Sequence, residues 1–139
     1  MQQRSRNRGL IYVRAKHAAG MREQLAWAVS KAAALDIEVN VAEGDLEEAL
    51  ANDLVSINDL RLDDGRLARH RRFIGLRNLE LDAWSNQAIS HIFVESIHRL
   101  SRSVPDLVAI LNTLQSFGIR VVFRNPFVFP SQDRNSESL

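Results

Sequence analysis

An α/β/α sandwich around a mainly parallel sheet of four to five strands is the fold class that the sequence predicts, on three observations. Ile92 to Ile97 is a mostly apolar run with β-branched residues, followed by an Arg-rich turn and a strongly periodic helix. Gly9 to Arg14 reads as a strand and leads into a helical pattern from Met21 to Leu35. Between these two units lies a stretch of helical character, so the order of elements is β-α-β, a helical insertion, then β-α-β. Alternation of this kind encloses a parallel sheet between two helical layers.

Taken in order, residues 1–8 carry Arg4, Arg6 and Arg8 with no apolar residue after Met1, and read as a mobile basic arm. Residues 9–129 form the single domain that a chain of 139 residues with 45% hydrophobic and 25% charged residues supports. In the first helix Met21, Leu25, Ala28, Val29, Ala32 and Leu35 recur at helical spacing, with Trp27 off the centre of the stripe. Ile37 to Val41 alternates apolar and polar residues as a second strand. The interval from Glu43 to Gln87 is acidic at first, with Leu46, Ala49 and Leu50 marking a short amphipathic helix. It then turns basic: Arg61, Arg66, Arg69, His70, Arg71, Arg72 and Arg77 lead into a helix carrying Leu76, Leu79, Leu81 and Trp84.

The C-terminal helix has the clearest punctuation. Ser103 stands at the N-cap, Pro105 in the first turn, Asp106 at the third position, and Gly118 at C′, while Leu107, Ile110, Leu111, Leu114 and Phe117 share one face. Ile119 to Phe123 is the next buried strand. Phe127 to Phe129 adds a short edge strand after Asn125-Pro126, and residues 130–139 form a frayed polar tail.

Composition excludes several classes. The absence of cysteine removes disulfides, zinc fingers and thiol catalysis. No signal peptide is legible and no apolar run approaches ~18 residues, so the expectation is a cytoplasmic protein. The net charge is only +1, yet all but Lys16 and Lys31 of the 18 basic residues are arginine. Arginine's planar fork suits bidentate contact with phosphate or carboxylate, although a GC-rich coding bias produces the same excess.

The strand, Arg-rich turn and helix start around His98-Arg99-Leu100-Ser101-Arg102-Ser103 make an anion site by geometry. Ligand crevices of open α/β sheets lie at the carboxyl ends of strands, and free N–H groups at a helix start attract phosphate. Arg99 and Arg102 flank that spot.

The Arg-Leu-Ser-Arg run at 99 to 102 resembles the DRLSR segment of the serine recombinase (resolvase/invertase) catalytic domain. Ile11-Tyr12-Val13-Arg14 resembles that family's first strand, Tyr-x-Arg-Val-Ser, which delivers a nucleophilic serine two residues after the arginine. The resemblance spans roughly Leu10 to Phe123 and implies that the first strand is central, with Arg14 and Lys16 beside Arg99 and Arg102. It implies catalytic-type roles for Arg14, Arg99 and Arg102. Gln24, Arg77, Ser101 and Ser103 complete the candidate phosphate-binding set: Gln24 at a helix-borne glutamine, Arg77 at the arginine of a mobile loop, and the two serines on the turn with capping as the first role of their hydroxyls. In such enzymes a serine attacks a DNA phosphodiester while arginines stabilise the charge that develops, so the resemblance implies no cofactor and no metal.

This chain departs from that pattern. Lys16 occupies the nucleophile position, His17 follows it in place of a hydroxyl residue, Gly20 stands near an expected glutamine, and His98 replaces the aspartate of DRLSR. The leading expectation is a resolvase-like domain associated with DNA recombination and inactive in strand exchange, carried on a mobile element and touching DNA through phosphate contacts. A homodimer, or pairing with an active recombinase, is the partner expectation. A second reading keeps the fold only, as a non-enzymatic interaction or regulatory module. A third is a small phosphate-ester hydrolase that uses the arginine cluster.

Overall fold

Strand β1 (Arg8–Ala15) is the axis of the molecule: its residues from Gly9 to Arg14 are all buried, as a strand covered on both faces requires. The structure is a computed structural model and describes residues 7–100 and 103–125. After β1 the chain runs through α1 (Ala18–Ala34), α2 (Asp45–Ala51), β2 (Ser56–Ile57), β3 (Leu60–Asp64), α3 (Ile74–Ser85), β4 (Ile89–Val94), a 3₁₀ turn at Ile97–Arg99, α4 (Val104–Ser116) and β5 (Arg120–Phe123). The five strands lie in the order β2-β3-β1-β4-β5, all parallel except for the short antiparallel pair of β2 with β3. The α/β/α class and the central first strand are as the sequence implied.

Two cores divide along the pleat of β1. Ile11 and Val13 face Met21, Ala28 and Ala32 of α1 and Leu46 and Ala49 of α2. Leu10 and Tyr12 face Leu76, Leu79 and Ala83 of α3 and Leu107 and Leu114 of α4. Alternate residues of one strand thus supply both helical layers.

Four details differ from the sequence reading. Ile37 to Val41 is not a strand: it makes one bridge, Arg8 with Glu38, because from Ile11 onward the edge of β1 is occupied by β3. Ile37, Val39 and Val41 still pack against the core. The strand read at Ile92 to Ile97 runs from Ile89 to Val94, and Ile97 belongs to the following 3₁₀ turn. Arg8, assigned to the arm, opens β1, where its guanidinium pairs with the buried Asp59 at 2.7 Å. Along α1, Val29 and Leu35 are exposed and Gln24 is buried in the stripe they had been expected to fill. The strand at Phe127 to Phe129, the tail, and the arm up to Arg6 lie outside the described residues.

The C-terminal helix forms as its punctuation predicts. The Ser103 hydroxyl accepts from the Asp106 N–H at 3.2 Å, and Gly118 takes the left-handed conformation at φ 77° just beyond the helix.

Candidate functional site

Arg14 closes β1 with a guanidinium that is only 7% exposed. Its Nη1 donates to the Tyr12 hydroxyl at 3.3 Å and its Nη2 to the His98 carbonyl at 3.0 Å, which ties the end of β1 to the 3₁₀ turn after β4. The Phe73 ring lies 4.7 Å from the guanidinium carbon, a stacking distance for arginine. These partners are all neutral. No carboxylate among the described residues lies within ion-pair distance of Arg14.

An acid reaches Arg14 through a relay. The Tyr12 hydroxyl donates to Asp63 at 2.6 Å, and the Asp63 carboxylate also accepts the N–H groups of Gly75 and Leu76 at 2.9 and 3.0 Å. Burial, followed by the charge of Asp63, pushes the Tyr12 phenol far up, so it stays protonated and donates. Asp63 thereby caps α3 from β3. A Cβ on Gly75 would overlap the Leu62 backbone, so glycine lets α3 approach the sheet this closely. Just before α3, Arg72 and Phe73 both adopt left-handed backbone, at φ 57° and 54°. Two successive non-glycine residues in that region carry strain of the kind that concentrates at functional sites.

The basic cluster between Arg61 and Arg77 separates into two groups. Arg61 is buried and pairs with Asp82 at 2.8 Å, Arg66 pairs with Asp64, and Arg71 pairs with Asp53 at 2.6 Å. Arg69, Arg72 and Arg77 have no such partner among the described residues. They converge with Arg14 on a crevice of about 500 Å³ between the N-terminal halves of α3 and α4, floored by Phe73, Leu76 and Leu100. Two acids, Glu80 and Asp106, share its walls, leaving four guanidinium groups against two carboxylates. Burial raises the Glu80 carboxyl above its ordinary value, against the opposing pull of Arg77.

Of the residues singled out from sequence, Arg14, Arg77 and Ser103 meet at this crevice. Gln24 does not line it: its side chain clamps the Arg14 backbone, accepting from the N–H at 3.0 Å and donating to the carbonyl at 2.9 Å. Arg99 turns to Glu95, at 3.2 Å, and does not line it either. Lys16 is exposed in the bend after β1 and stands apart from the crevice lining. Ser101 and Arg102 lie outside the described residues. Sequence reading missed Tyr12 and Asp63 as a pair, although the charge inside Leu60-Arg61-Leu62-Asp63 was a signal that a buried strand carries specific partners.

Among the described residues no helix is long and apolar enough to cross a membrane, and no group of three or more His, Asp or Glu side chains is placed to hold a metal ion. No curated protein and no solved structure matches the chain. One family does: the model of the resolvase N-terminal domain matches residues 29–138. That segment contains α2 through β5 with Arg69, Arg72 and Arg77, while β1 with Arg14 and Lys16 precedes it. With most of its length matched, and with a largely parallel sheet built around its first strand, the chain belongs to the resolvase N-terminal domain family.

Proposed function

We propose that this resolvase-like domain grips the DNA phosphate backbone through the Arg14, Arg69, Arg72 and Arg77 crevice and performs no strand exchange of its own. One observation carries the reading: the fold neutralises Arg61, Arg66 and Arg71 with carboxylates and leaves the crevice arginines for an outside anion. Guanidinium forks match phosphate oxygens, and the buried, ring-stacked Arg14 supplies a preorganised donor at the crevice floor. The inactivity rests on Lys16, which stands where the family carries its serine nucleophile. A lysine at that position offers an ammonium and no hydroxyl for a phosphoserine link. In this role the domain acts as an accessory to DNA recombination, alone as a homodimer or beside an active recombinase.

Fluorescence anisotropy against a generic duplex at several salt concentrations tests the reading. Affinity falls steeply with salt, and Arg72→Ala and Arg77→Ala each reduce the magnitude of the log–log slope by about 1, because each removes a phosphate contact. Both side chains are exposed, so the fold tolerates their loss. The wild-type chain leaves no denaturant-resistant protein–DNA adduct. Absence of binding at low salt overturns the reading, and binding indifferent to both substitutions shifts it to an interaction module that keeps the fold alone.

A further inference from the structure

The arginine crevice is one end of a longer cleft. Its walls at Arg77, Glu80, Ala109 and Ile110 continue into a second cavity of about 510 Å³ between α3 and α4, bounded by Leu81, Trp84, Leu114 and Phe117. The far end is aromatic. Trp84 is 63% exposed and Leu81 58%, and the Trp84 ring lies 6.4 Å from that of Phe117 at an interplanar angle of 43°. Two large apolar side chains left open at the end of a cationic cleft suit a ligand that is anionic at one end and flat and apolar at the other.

A nucleotide has that shape. Arg77 and Trp84 are seven residues apart on α3, a rise of about 10 Å, comparable to the span of a nucleotide from its phosphate to the edge of its base. A base stacked within a duplex cannot reach Trp84, so the ligand must offer an unpaired one. We propose that the α3–α4 cleft binds single-stranded DNA, with a phosphate among the arginines and an unpaired base stacked on Trp84. Cationic grooves lined with aromatic rings bind single strands in this way with little sequence preference. Glu80 lies on the wall shared by the two cavities, beside Arg77 in the lining of both. The proposal rests on the phosphate-binding reading and adds the kind of DNA recognised.

The test uses the intrinsic tryptophans. Trp27 lies on α1, across the sheet from the cleft, so a Trp27→Phe background leaves Trp84 as the only reporter. The probes are a short oligothymidine, an abasic strand of the same length and charge, and a duplex. Oligothymidine quenches Trp84 and binds at least about five-fold more tightly than the abasic strand; Trp84→Ala in the full chain removes that advantage, and Trp84→Phe keeps most of it. Equal affinity for the two single strands without quenching overturns the proposal and leaves phosphate binding intact. Failure of every probe to bind at low salt overturns both. A Trp84→Ala chain that loses self-association and keeps its oligonucleotide affinity assigns the aromatic face to a second copy of the chain, which also overturns the proposal.

Discussion

Asp63 is 3% exposed and receives three donors, one from Tyr12 and two from the first turn of α3. Its removal strands all three in the core. Asp63→Ala is therefore expected to cost about 3 kcal/mol, since unsatisfied buried donors carry their full desolvation penalty, whereas Tyr12→Phe costs about 1 kcal/mol. Urea midpoints at neutral pH check the difference; equal costs would show that the α3 cap is not what makes Asp63 matter. Position in a motif pointed to Arg14 from sequence alone. The pairing of Tyr12 with Asp63 was not legible, because the two residues are 51 positions apart and neither belongs to a local pattern that predicts the other. The same limit explains Arg99. Its motif marked it as a crevice residue, and a glutamate four positions earlier, just before the 3₁₀ turn, holds it elsewhere.

At the scale of elements, legibility followed local chemistry. Helix α4 was readable because its cap, its first-turn proline, its apolar face and its terminal glycine lie within sixteen consecutive positions, from Ser103 to Gly118. Ser103→Ala is expected to destabilise the protein by about 1 kcal/mol through loss of the Asp106 N–H bond, and thermal melts read it directly. Strand β3 was unreadable for the opposite reason. Its charged residues Arg61 and Asp63 interrupt the continuous apolar run expected of a strand covered on both faces, yet both are buried because Asp82, Tyr12 and the start of α3 satisfy them. Ile37 to Val41 had the alternation and lacked the vacancy, because the edge of β1 it needed was filled by β3. Periodicity reports which face a segment can bury; which neighbour it meets is decided by the rest of the chain.

At the scale of the whole molecule, charge is distributed by pairing. A net charge of +1 conceals a crevice in which four guanidinium groups face two carboxylates, while other arginines are spent on ion pairs within the fold. The composition therefore conceals the arginine crevice, which the sequence reached only in part, through Arg14, Arg77 and Ser103. The topology makes a further expectation measurable: in native-state hydrogen exchange the amides of β1 are the most protected in the chain, because that strand is hydrogen-bonded on both edges and covered on both faces. The same central position bears on how the chain is made. β1 leaves the ribosome before any strand that pairs with it: Ile11 waits for Leu60, and Leu10 waits for Ile92. Until β4 has emerged, a nascent chain carries an apolar strand with an open edge, so completion of the sheet waits on long loop closures.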